Sequence, residues 1–253
     1  MPVAVGLYRA AVAAAAVSGI AMEVARAEAL RPFIYFTIQS NTLLAVCFAF
    51  AAWAAWRGRP GPPGGLKGAI TLYILITGLV FNFVLSDGPT LVPPAGAGEL
   101  VGEPWWVVDS SDLLHTVAPV LAAADFVLFD RHRRMRWFYA AAWLLYPLAY
   151  AVFTTVRGAL FPMAGYPYFF LDVSLLGYGG LIRSLLGYGA AFLVLGLALV
   201  AADRLLGAPA PERVLRRVRG ERSAAAPAAE EAGPGAPAAE AAGPRAAPPG
   251  GVV

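Results

Sequence analysis

The stretch FIYFTIQSNTLLAVCFAFAAWAAW, residues 33–56, decides how the rest of the chain reads. It carries no charged residue and is long enough to cross a bilayer, since about 20 apolar residues span the hydrocarbon core. Yet Thr37, Gln39, Ser40, Asn41 and Thr42 crowd its first half. Polar groups are costly in lipid, so such a segment belongs inside a helix bundle, with its polar side chains turned to other helices or to a wet cavity.

The whole chain fits that setting. Its 253 residues are 59% hydrophobic and only 14% charged, with a mean hydropathy of +0.64, too little polar surface for a soluble domain of this length. Further apolar stretches fall at Ala4–Ala21, Leu66–Leu85, Val107–Phe129, Trp137–Phe153 and Leu181–Ala202. The expected fold is all-α: a polytopic bundle of six transmembrane helices over residues 1–205. The first stretch has a second reading, a signal peptide ending at ARAEA, but only Arg9 supplies a basic leading region. Residues 206–253 turn to Ala, Pro, Gly and Glu without periodicity, which predicts a disordered tail.

Basic residues in short loops set orientation. Arg57, Arg59 and Lys67 follow the second stretch, and Arg131, Arg133, Arg134 and Arg136 follow the fourth. The loop after the third has acids and no base. Both termini are therefore expected in the cytoplasm. The net charge of +3 is then a topology signal and argues for no nucleic-acid partner. Lys67 is the only lysine, and the abundance of Arg, Ala, Gly and Pro suggests a high-GC genome, hence a bacterial plasma membrane. Cys47 is the only cysteine, so neither an intrachain disulfide nor a thiolate metal site can form.

In this topology the polar residues of four segments gather toward the outer leaflet: Thr37 and Asn41, Asn82 and Ser86, Asp112 and His115, and Thr154, Thr155 and Arg157. Thr37, Ser40 and Asn41 share one helical face, as do Ser111, Asp112 and His115. Pro119 lies four residues after His115 and deprives that carbonyl of its helical donor. Ser, Thr, Asn and Gln in such helices often serve only to join them. An ionisable residue is a stronger sign of function, which singles out His115. His132, in a basic loop, reads as solvated. No cofactor is expected: haem bridged between helices needs a second intramembrane His, and one His with scattered acids is a poor metal site. What remains is a hydroxyl and an imidazole, the pair used in nucleophilic catalysis. Asn41 or Asn82 could donate to an oxyanion, and Asp112 could orient the imidazole.

YFTIQSN (35–41), LLHTVAP (113–119) and YPYFFLD (166–172), in this order, resemble the androgen-induced protein family. That family also includes the androgen-dependent regulator of tissue factor pathway inhibitor and bacterial six-span relatives. The resemblance covers roughly residues 33–172. It implies an intramembrane threonine hydrolase that cleaves lipid esters such as fatty acid esters of hydroxy fatty acids, with Thr37 as nucleophile and His115 as base. The implied partners are a lipid ester substrate and the surrounding membrane lipids. The pattern requires no acid at Asp112. Arg157 is a candidate to hold a substrate carboxylate. The rival reading is a small-molecule or lipid transporter or channel whose path the same polar cluster lines. Two features weigh against it: inner halves of the spans that read as almost purely apolar, and the lack of an internal repeat.

Overall fold

A computed structural model describes residues 2–27, 31–86 and 109–206. The predicted tail, and the loop carrying Glu99, Glu103, Trp105 and Trp106, lie outside the described residues. Six helices are long and apolar enough to cross a membrane: α1 (Pro2–Arg26), α2 (Phe36–Trp56), α3 (Gly64–Leu85), α4 (Ser110–Phe129), α5 (Phe138–Leu160) and α6 (Val173–Leu206). There is no strand among the described residues. The fold is an all-α bundle of an integral membrane protein, and its exposed Leu, Val and Phe side chains on α5 and α6 suit a lipid surround.

Contacts between helix ends give the alternation. At one end, Arg9 of α1 meets Asp125 and Asp130 at the end of α4, and Lys67 at the start of α3 meets the same two carboxylates. The Trp143 indole of α5 donates to the Gly65 carbonyl, and backbone N–H groups of Arg134 and Met135 donate to Asp203 of α6. This is the basic end. At the other end Glu23 and Arg26 of α1 reach Ser110 of α4, and Tyr150 of α5 reaches the Ile34 carbonyl before α2.

The bounds differ from the sequence-based ones for local reasons. A short 3-10 turn over Arg31–Ile34 precedes α2, so the helix starts later than the apolar stretch and Thr37 is its second residue. Helix α5 breaks at Trp143 and Leu144, the position whose helical donor Pro147 lacks. Helix α6 starts earlier than its apolar run because Asp172 caps it through the N–H groups of Ser174 and Leu175. Gly177 then takes φ 63°, ψ 171°, a conformation open essentially to glycine alone, and redirects the chain.

The halves of the spans at the basic end, expected to be the inner ones, are not purely apolar. Arg9, Lys67, Asp125 and Asp130 form a cluster of two cations and two anions, with Lys67 and Asp125 buried and Arg9 and Asp130 partly so. Nor is His132 solvated. It is buried against Phe126 and lies 3.6 Å from the Asp203 carboxylate. Asp125 was the missed signal, an acid one turn inside the end of an apolar stretch.

Candidate active site

Two helix ends build the site. Helix α2 presents Thr37 in its first turn, where Tyr35, the N-cap, supplies no side-chain cap. Helix α4 opens with Asp109 as its N-cap, accepting from the Asp112 N–H at 2.9 Å. It then winds as a π-turn over Leu113–Val117. π-Turns inside α-helices often mark functional sites, and this one carries His115.

The π-turn and Pro119 together explain the two asparagines. The Ala118 N–H is spent on Leu113, so in this register the Leu114 carbonyl would look to Pro119, which has no N–H. The His115 carbonyl loses the same partner in the α register. Both oxygens find donors on other helices. Asn41 Nδ2 of α2 donates to the Leu114 carbonyl at 3.3 Å, and Asn82 Nδ2 of α3 donates to the His115 carbonyl at 3.1 Å. Each amide also donates within its own helix, Asn41 to the Thr37 carbonyl and Asn82 to that of Gly78, both at 2.9 Å. Gly78 permits the close approach: a Cβ there would lie 2.9 Å from the His115 carbonyl oxygen.

Thr37 Oγ1 lies 3.2 Å from His115 Nε2. The other ring nitrogen, Nδ1, lies 3.0 Å from the Ser111 carbonyl and 3.3 Å from the Ser111 hydroxyl. A carbonyl only accepts, so Nδ1 carries the proton and Nε2 of the neutral ring is the acceptor. The Thr37 hydroxyl therefore donates to Nε2, the arrangement a general base requires. Phe81 stacks on the imidazole with ring centres 3.8 Å apart and fixes its plane.

Thr37 also faces a cavity of about 210 Å³. Its walls come from α2, α3, α5, α6 and the segment before α6, and are almost wholly apolar, with Phe36, Ile76, Phe81, Tyr150, Leu185 and Phe192 among them. Tyr168 lines it as well, and its phenol lies beside the Thr37 hydroxyl and the first N–H groups of α2. Burial pushes that phenol above its ordinary pKa, so it stays protonated near neutrality.

The remaining sequence-derived candidates lie elsewhere. The Asp112 carboxylate turns back to the Asp109 N–H at 3.5 Å as the second half of a capping box, and Ser111 holds the imidazole in its place. Asn41 and Asn82 are spent on backbone carbonyls and not aimed into the cavity. Arg157 donates to the Gly165 carbonyl at 2.9 Å and does not line the cavity. Gln39 ties α2 to α5 through the Tyr146 phenol, and Ser40 ties α2 to α3 through Thr77.

Sequence reasoning missed Ser111 as the group holding Nδ1, the Phe81 stack and the α6 wall. The last was readable, because Ser184, Tyr188 and Phe192 recur every fourth residue. Among the described residues no cluster of His, Cys, Asp and Glu could hold a metal ion. Compared with protein-family models, with curated proteins and with solved structures, the chain matches none of them.

Proposed function

We propose that this protein is an intramembrane threonine hydrolase acting on lipid esters, as the resemblance to the androgen-induced protein family implies. One observation carries the reading. A threonine hydroxyl donates to the free nitrogen of a histidine whose tautomer is fixed, and that hydroxyl opens onto an apolar cavity within the bundle. A packing role alone does not call for the fixed tautomer or the cavity.

In this mechanism Thr37 Oγ attacks the ester carbonyl carbon while His115 Nε2 takes the hydroxyl proton. The resulting imidazolium stays bonded to the Ser111 carbonyl. The tetrahedral oxyanion needs donors, and the nearest are the Tyr168 phenol and the first N–H groups of α2, whose positive dipole end also favours negative charge. The intermediate collapses, the C–O bond to the alcohol breaks, and His115 returns its proton to the leaving oxygen. Water then attacks the acyl-threonine with His115 again as base, and Thr37 and the fatty acid are released. With the basic end in the cytoplasm, the pair lies in the outer-leaflet half, and a lipid ester enters laterally.

The test is covalent labelling of the purified protein by a fluorophosphonate. Wild type should be labelled at Thr37, and Thr37→Ala should not. Equal labelling of the two would sink the reading.

A further inference from the structure

The position of His115 relative to the cavity sets how an ester must lie, provided the hydrolase reading holds. Thr37 lines the cavity and His115 does not. Phe81 lines the cavity as well, and its ring stacks on the imidazole, so one residue touches both. Thr37 thus borders both an apolar chamber and an acid–base histidine that does not line it. In the second half of acylation the leaving oxygen must take its proton from His115 Nε2. The alcohol part of the ester therefore lies on the His115 side. The acyl chain, on the other side of the same carbonyl carbon, must run into the cavity.

The walls say what kind of acyl chain. The residues lining the cavity include no Arg, Lys, His, Asp or Glu. Arg157, the candidate from the sequence to hold a carboxylate, donates to the Gly165 carbonyl and does not line the cavity. A charged group in such a chamber would be desolvated without a partner, which costs several kcal/mol or more. On the α6 side Tyr188, Gly189 and Phe192 line it, and a Cβ on Gly189 would meet no atom within 4 Å.

We infer that the cavity is an acyl-chain pocket that selects the acid half of the ester, taking an uncharged alkyl chain and rejecting an acyl group with a terminal carboxylate. Each methylene buried there is worth about 0.8 kcal/mol, or about fourfold in kcat/KM, until the chain reaches α6.

Isomeric esters test this without the confusion of micelle partitioning. Ethyl decanoate and decyl acetate have the same atoms and closely similar hydrophobicity, but place the long chain on opposite sides of the carbonyl. The full chain in detergent micelles should hydrolyse ethyl decanoate at least about tenfold faster. It should also favour it over the analogue with a carboxylate at the far end of the acyl chain. Gly189→Leu, which fills the α6 end, should shift the preference among ethyl esters toward shorter acids by about tenfold in the long-to-short ratio. Equal or faster cleavage of decyl acetate would overturn the inference and leave the hydrolase reading intact. Hydrolysis of neither ester, by a sample shown to be folded, would overturn both.

Discussion

The Thr37 hydroxyl donates to His115 Nε2 across 3.2 Å because the proton of the neutral ring is held on the opposite nitrogen, Nδ1, which donates it in a hydrogen bond to the Ser111 carbonyl. The dependence is directional. Anything that frees Nδ1 also frees the ring to carry its proton on Nε2, where it can no longer accept from threonine. Hence His115→Ala should lower the rate of fluorophosphonate labelling about 10²–10⁴-fold, the usual range for a general base. Thr37→Ser, which keeps the hydroxyl, should retain measurable labelling. In-gel detection on purified protein checks both.

Asp112→Asn should change labelling by no more than a few-fold. Its carboxylate completes the cap of α4 and does not touch the imidazole. A loss as large as that of His115→Ala would mean that the acid reaches the ring during turnover.

Gly78→Ala should be disproportionately harmful for a single methyl group. The new Cβ would stand 2.9 Å from both the His115 carbonyl oxygen and Pro119 Cγ, so α3 and α4 must part. Separation also breaks the bond from Asn82 to the His115 carbonyl and leaves a buried acceptor unpaired, at about 1–3 kcal/mol. The expected outcome is a lower melting temperature in detergent and a loss of labelling larger than the melting shift explains.

The buried charges at the basic end should matter for stability and not for chemistry. Asp125→Asn removes one of two anions facing Arg9 and Lys67, and breaking a buried pair from one side costs about 3–5 kcal/mol. Thermal unfolding should show it. Adding Lys67→Met to Asp125→Asn should cost less than the sum of the single changes, because the stranded cation is gone.

Orientation has its own test. A reporter joined after Arg219 should read cytoplasmic, and one inserted near Gly96 should read external. The opposite result would move the pair to the inner half of the membrane.

The sequence made the bundle legible, because apolar stretches with polar punctuation leave little choice of fold. Thr37 and His115 were legible as a pair through the topology, which brings them to one level, and through the order of their motifs, since no spacing rule brings together two residues on different helices. The roles of Asn41, Asn82 and Asp112 were not legible. An amide or carboxylate near a catalytic histidine looks like a catalytic aid until the backbone shows what it owes. Here Pro119 and the π-turn leave two carbonyls wanting, and Asp109 leaves a helix start to be closed. Ser111 was placed on the His115 face without its hold on the ring, because its backbone carbonyl, common to every residue type, is the closer of its two contacts there. Asp125 was overlooked because its two cationic partners come from other helices.

The two amides that hold the π-turn of α4 belong to α2 and α3, and that has a consequence for timing. Helices of a membrane protein can enter the bilayer one by one before they associate. In that dispersed condition the chain already contains Thr37 and His115, but the turn beneath the imidazole has not met Asn41 or Asn82. The hydroxyl and the ring become neighbours only when three separate helices have docked. Under the proposed hydrolase reading, a newly inserted chain is therefore inert toward the lipids around it until those helices have docked.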